Sequence, residues 1–285
     1  MKGYKNLIEF LDAPGSVGLV VEGGGMRGVI TSAMLAVLLE AGYGERFNIA
    51  TGSSSGATHI AYFMTGQSET GVRMYLNDLP DSEFINYRRL RRIMDIQILE
   101  DMMSEGPETK LDIKKLKAHP MKSLVPLTSV NKYAQVVFNL KEAEDPVHVL
   151  CAGMSIPVLD NEVRKINGDQ YVDGGVSDIL PLHLIDGKCD RILVLRSDTK
   201  QNYKVHKFLY GVVSHLVHHL TFKKGMAIPV ISSQNKRRSF KRMEKDDVFV
   251  IHPPKNHQVS RATRDKEKIK EAHELTVAMM CELLA

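Results

Sequence analysis

Residues 48–58 read NIATGSSSGAT, and Gly52-Ser53-Ser54-Ser55-Gly56 has the form G-x-S-x-G. The apolar pair Ile49-Ala50 leads in, and a helix-compatible run, 57–64, leads out. A serine between a strand end and a helix start sits on a sharp turn. Flanking glycines remove the Cβ atoms that would clash there. Such a turn presents the hydroxyl at a helix N-terminus, where backbone N–H groups favour negative charge. Ser54 is therefore the candidate nucleophile, with Ser53 and Ser55 pointing elsewhere. Taken alone, the same five residues also describe a Ser/Gly loop that caps a helix.

The preceding residues narrow the choice. Residues 16–22 (SVGLVVE) form a short apolar run expected to be a buried strand. Gly23-Gly24-Gly25-Met26-Arg27-Gly28 follows, then a helix over 29–41 that is apolar nearly all round and so central. Gly42 is placed to stop it. A second strand is expected over 47–50. This βαβα order argues for a parallel sheet with its loops at the carboxyl ends of the strands. The glycine run has the letters of a dinucleotide fingerprint, which needs an acidic residue at the end of the next strand. Residues 48–51 (NIAT) contain none, and no Gly-Lys-Ser/Thr follows to make a phosphate-binding loop. What remains is a row of N–H groups at a helix start, suited to an oxyanion.

A third motif, Asp173-Gly174-Gly175, ends the short strand reading Tyr171-Val172. By itself it is an ordinary turn. At the same sheet edge as Ser54, however, its carboxylate is able to take the serine proton.

Together these residues resemble the patatin-like phospholipase family, in its bacterial form. That family has a G-G-G-x-R/K-G oxyanion loop, a G-x-S-x-G elbow one βα unit later, and a D-G-G/A aspartate over a hundred residues on. Here they are Gly23, Gly24, Gly25, Arg27 and Gly28, then Gly52, Ser54 and Gly56, then Asp173, Gly174 and Gly175. Ser155-Ile156-Pro157 resembles the small-residue/Pro segment before the family's aspartate. The resemblance covers 16–195. It implies a three-layer α/β/α fold with a mainly parallel sheet, a Ser54-Asp173 dyad without histidine, and hydrolysis of lipid acyl esters of phospholipase A or lysophospholipase type. It implies no cofactor and no metal. A carboxylate with a pKa of ~4 is a weak base for serine, so the dyad needs a dry site that raises Asp173. A Ser-His-Asp triad stays open, since His183, His252 and His257 follow Asp173. His59 reads as packed within the nucleophile helix.

The rest of the chain is less specific. Residues 69–124 are charged, broken by prolines, and expected to be helical and outside the sheet, either a lid or a solvated decoration. They carry Arg88, Arg89, Arg91 and Arg92. Strands are expected over 126–129, 135–139, 191–195 and 248–251, and helices over 145–154, 203–222 and 265–284. His215, His218 and His219 share one face of the 203–222 segment without a carboxylate beside them, so a solvated face is expected rather than a metal site. Asn167-Gly168-Asp169 signals a turn.

At 285 residues and 43% hydrophobic, the chain suffices for one sizeable core. We expect a single domain over 1–285, with a basic helical extension over 200–285 packed on the motif-bearing part. Three scattered cysteines argue against a secreted disulfide framework. Residues 1–15 carry Glu9 and Asp12 and lack the apolar core of a signal peptide. No run approaches the ~18 apolar residues of a membrane span. The expected location is cytoplasmic, with lipid as partner and any membrane contact peripheral. The net charge of +4 does not call for nucleic acid. The basic segment 223–245 suits an anionic lipid surface, and supports the alternative of a non-catalytic peripheral binding protein.

Overall fold

β1 (Val17–Val21) is buried along its whole length near the middle of an eight-stranded mixed sheet. Its side chains alternate between two faces, as a two-residue period requires. Val17, Leu19 and Val21 join one apolar cluster, whereas Val20 joins another with Ile49, Ile192, Val194 and Val248. A strand covered on both faces must be apolar throughout, and VGLVV is. The computed structural model describes residues 4–89, 92–156, 159–160, 163–198 and 227–285. The expected helix over 203–222, with its three histidines, lies outside the described residues.

β2 (Ile49–Gly52) and β7 (Arg191–Leu195) flank β1 in parallel. β3 (Lys122–Ser129) lies parallel beyond β2, and β8 (Val248–Ile251) parallel beyond β7. The remaining three strands are antiparallel, β4 (Ala134–Asn139) against β3, β6 (Asp169–Val172) against β3, and β5 (Arg164–Ile166) against β6. Short links explain the β3–β4 and β5–β6 pairings, because only hairpins close over so few residues. Asn167 (φ 51°) and Gly168 (φ 82°) form the two-residue link between β5 and β6.

Helices cover both faces. α1 (Leu7–Asp12), α2 (Gly28–Glu40) and α3 (Ser55–Met64) lie on the side of Leu19, and α2 is buried from Gly28 to Leu38. It needs no polar stripe because the C-terminal helix Lys266–Leu283 packs on it from outside. On the other face sit the turn Leu182–Leu184 and the helix Ala227–Arg242, whose Ser239 hydroxyl donates to the Leu180 carbonyl (2.8 Å). The result is a three-layer α/β/α architecture. The segment after α3 is helical as expected, through Ser68–Arg73, Ile96–Glu105 and Ile113–Ala118, but it ends at residue 121 because Lys122 opens β3.

The registers position the chemistry. β4 occupies one edge of β3 from Leu124 to Ser129, so β2 and β6 must share the other edge. β2 is paired up to Thr51↔Leu124, then leaves for the elbow. β6 arrives from the opposite direction at Thr128↔Val172. Pro126 sits in the gap between them. Its carbonyl faces Gly174, so the N–H it lacks would point where no strand lies.

Candidate active site

Ser54 sits between β2 and α3 with φ 54° and ψ −135°, a backbone conformation that non-glycine residues rarely adopt. Holding it costs about 1–3 kcal/mol, which the packed strand and helix on either side sustain. The neighbouring serines point away, as expected. Ser53 Oγ donates to the Asp178 carbonyl, and Ser55 Oγ accepts from the Gly24 N–H (3.0 Å). Gly52 ends β2, and Gly56 lies in the first turn of α3, where its N–H bonds to the Ser53 carbonyl (3.0 Å).

Asp173 follows β6 directly, and its backbone is fixed on both sides. Its N–H donates to the Ser155 carbonyl (2.9 Å), and its carbonyl accepts from the Thr128 hydroxyl (2.9 Å). Ser155 is itself held by Arg164 Nε (3.2 Å), which gives the segment before the aspartate its role. Gly174 and Gly175 begin a 3₁₀ turn, and the Gly175 N–H donates to Asp173 Oδ1 (2.6 Å). Oδ2 is buried with no hydrogen-bond partner among the described residues. Burial pushes the Asp173 pKa up to about 6, against the opposing pull of the Ser54 hydroxyl, the Gly175 N–H and the Arg261 charge. The Ser54 hydroxyl is therefore close enough to be felt by the carboxylate, although no bond of full hydrogen-bond geometry joins it to Oδ2. Catalytic hydrogen bonds are often long before substrate binds. The dry site required of a carboxylate base is present.

The glycine loop lies against the elbow. A Cβ on Gly23 would stand 2.4 Å from the Ser53 carbonyl oxygen. Gly25 has φ +56°, and a Cβ there would meet the Arg261 carbonyl oxygen at 2.5 Å. The same carbonyl accepts the Met26 N–H (2.9 Å). Of the three expected oxyanion donors, Gly24 is already engaged by Ser55. The Gly23 and Gly25 N–H groups have no partner among the described residues. Arg27 is buried and paired with Asp198 (2.8 Å), so it anchors the loop from behind. Gly28 begins α2.

The histidines are placed elsewhere. His183 lies 3.0 Å from the Asp178 carboxylate and bonds to Gln135 Oε1 (3.1 Å), and His257 sits beside Arg27 and Asp198. Neither bonds to Ser54 or Asp173. His252 follows β8, three strands from β2, or about 14 Å at the usual ~4.8 Å spacing. His59 lies in α3 as expected, and burial drives its pKa down to about 3. Among the described residues, no three His, Cys, Asp or Glu side chains group as metal ligands.

Ser54 opens onto an apolar pocket whose walls include Tyr62, Met74, Phe84, Ile96, Leu99 and Met154. Its free volume is about 40 Å³, a few times the ~10–15 Å³ that one water occupies on that measure. Much of this wall comes from the helical segment after α3, so that segment is neither a solvated decoration nor a separate excursion from the site. The Arg261 carbonyl and Tyr75 were missed from sequence alone. Neither carries a local signal, because both act through contacts made only in the folded chain.

The sequence model of the family described as patatin-like phospholipase matches residues 19–186. The uncharacterized protein YjjU of Escherichia coli (strain K12) is 23% identical over 269 residues, spanning 88% of this chain and 72% of that one. The crystal structure of VipD from Legionella pneumophila superposes with a TM-score of 0.54 over 95% of this chain and 67% of that chain. At 13% identity, that likeness bears on the fold alone. The family match spans more than half of the chain and takes in the glycine loop, the elbow and the aspartate, so the chain belongs to the patatin-like phospholipase family.

Proposed function

We propose that the protein is a serine acyl-ester hydrolase acting on lipids, of phospholipase A or lysophospholipase type, working through a Ser54-Asp173 dyad. One observation carries this reading. A strained, buried serine and a buried carboxylate with an unpartnered oxygen meet in one gap of the sheet, at the mouth of an apolar pocket. The acyl chain enters the pocket. Ser54 Oγ bonds to the ester carbonyl carbon while Asp173 Oδ2 takes its proton. The carbonyl oxygen gains negative charge, which the Gly25 and Gly23 N–H groups stabilise. The C–O bond of the ester breaks, and the leaving alcohol takes the proton from Asp173. Water then attacks the acyl-Ser54 ester, giving its proton to Asp173, and the carboxylic acid departs as Ser54 is reprotonated.

We further infer that the chain acts as one domain and works in the cytoplasm, meeting its lipid at an anionic membrane surface. Among the described residues no helix is long and apolar enough to cross a membrane.

The test is labelling with a fluorophosphonate. One adduct is expected, on the peptide that carries Ser54, and absent in Ser54→Ala. Labelling that persists in Ser54→Ala overturns the reading. Vesicle binding without ester turnover would favour the binding-protein alternative.

A further inference from the structure

A polar chain runs through the wall of the apolar pocket. It starts on the glycine loop, where the Gly24 N–H meets Ser55 Oγ (3.0 Å). The Ser55 hydroxyl lies close enough to the Tyr75 hydroxyl to oppose the rise that burial gives the Tyr75 pKa, without a bond of full hydrogen-bond geometry between them. The Tyr75 hydroxyl lies 2.9 Å from His59 Nε2, and His59 Nδ1 lies 3.0 Å from Thr31 Oγ1. Thr31 Oγ1 then meets the Gly28 carbonyl (3.3 Å). All four side chains are buried.

We assign the bond directions from the Thr31–Gly28 contact, since either neutral tautomer of His59 fits the distances. The Thr31 proton goes to Gly28, so Thr31 Oγ1 accepts from His59 Nδ1–H. His59 is neutral and has no second proton, so its Nε2 accepts from the Tyr75 hydroxyl. The Tyr75 oxygen is then the acceptor left for the Ser55 hydroxyl, and Ser55 accepts from the Gly24 N–H. Each donor is used once. Both ends of the chain are backbone groups of the same loop, Gly24 and Gly28, so the side chains brace the loop from end to end.

Resting on the hydrolase reading above, we propose that Ser55, Tyr75, His59 and Thr31 are positioning residues that tether Gly24 and thereby hold the Gly25 N–H ready for the oxyanion formed at Ser54. None of them takes the serine proton or touches the reacting atoms. Their effect comes from preorganisation, since a donor already in place costs no rearrangement when charge develops. A misplacement of about 1 Å at such a site costs on the order of 100-fold in rate.

The experiment compares Tyr75→Phe, Ser55→Ala and their double variant on nitrophenyl butyrate, with binding of a trifluoromethyl ketone, whose tetrahedral adduct carries the same oxyanion. Each single change should lower kcat on the order of 10- to 100-fold with KM nearly unchanged, and weaken the ketone in step. The double variant should lose little more than the worse single one, because one chain is broken either way. His59→Gln keeps one acceptor and one donor, and should retain more activity than His59→Leu. In ¹⁵N-histidine spectra of the wild type, His59 should be neutral with its proton on Nδ1 from pH 8 to pH 5. Wild-type kcat in a folded Tyr75→Phe, additive losses, or a proton on Nε2 would each overturn the brace. If Tyr75→Phe does not fold, the His59 pair and the tautomer decide. If the wild type turns over no ester, the hydrolase reading fails, while the tautomer still tests the brace.

Discussion

Ser54 and Asp173 reach the same level of β3 from opposite directions. Continuing the parallel register from Thr51↔Leu124 brings Ser54 level with Leu127, and continuing the antiparallel register from Thr128↔Val172 brings Asp173 to the same residue. Ser54 and Asp173 are therefore brought to one gap because one edge of a single strand is shared by two others. The sheet that forms the core also sets their separation.

On the proposed mechanism, Asp173 should make activity and stability depend on pH in opposite ways. Its carboxyl must be ionised to act as base, so kcat/KM should rise with pH through an apparent pKa of about 6. Asp173→Asn should lower kcat by ~100-fold or more and abolish that step. For stability, a carboxyl whose folded pKa lies above its unfolded value binds more protons when folded, so stability falls as pH rises from about 4 to 6. At pH 7.5 Asp173→Asn should therefore be the more stable protein, by on the order of 2–3 kcal/mol at ~1.4 kcal/mol per pKa unit. Thermal melts should converge near pH 4. Alanine at His183, His252 or His257 should spare most activity. A loss matching that of Asp173→Asn at any of the three would establish a triad instead.

Gly25 carries two constraints at once, a positive φ and the Arg261 carbonyl at its α-carbon. Gly25→Ala must displace either the loop or the 261 segment. Removing one oxyanion donor costs roughly 3 kcal/mol, or about 100-fold in kcat. Gly25→Ala should show at least that loss with KM little changed, measured on a soluble nitrophenyl ester. An unaltered kcat would move the oxyanion site elsewhere.

The pocket has a free volume of only about 40 Å³, and Phe84 is a buried part of its wall, so on the proposed reading it takes a short acyl segment. Phe84→Ala should shift the preferred acyl length of monomeric nitrophenyl esters upward by several carbons. Such a truncation also costs about 3–5 kcal/mol of stability, so Tm should fall. Unchanged chain-length preference in the folded variant would place the acyl chain outside this pocket.

Two basic clusters stand out in the sequence, and the structure separates them. Arg89 and Arg92 both pair with Asp95 (3.0 Å each), and Arg242 pairs with Asp186 and Asp247. Those charges are internally balanced. Arg237, Arg238 and Lys241 are exposed on the helix Ala227–Arg242. Replacing these three with glutamine should weaken binding to anionic vesicles and slow vesicle hydrolysis, more so at low salt. Turnover of a soluble ester should not change. Equal loss on both substrates would show the helix face to be structural.

The parts of the fold written locally were legible. The elbow, the glycine loop and the Asn167-Gly168 turn announce themselves through residues whose backbone needs are unusual. VGLVV and RILVL read as strands because both faces are buried. The antiparallel arm was less legible. β5 is only three residues long, and the strand expected over 126–129 in fact begins at Lys122, because Pro126 reads as a strand start until the gap at its edge is known. The supports of the site were less legible still, since the Ser155-Ile156-Pro157 segment is marked by resemblance while its contact with Asp173 is not. The Ser155 and Arg261 carbonyls act through backbone atoms that any residue type carries. Ser55 reads as a serine of the elbow that points elsewhere, and Tyr75 carries no signal of its own within the helical segment 69–124. Only the folded chain brings them to Gly24.

The central claim, a covalent acyl-enzyme on Ser54, is tested most directly by mass spectrometry of the protein quenched in acid during turnover of a nitrophenyl ester. The account predicts a mass increase of one acyl group, carried by the peptide containing Ser54, with both adduct and turnover absent in Ser54→Ala. An acyl group on another residue, or turnover that continues in Ser54→Ala, would contradict it.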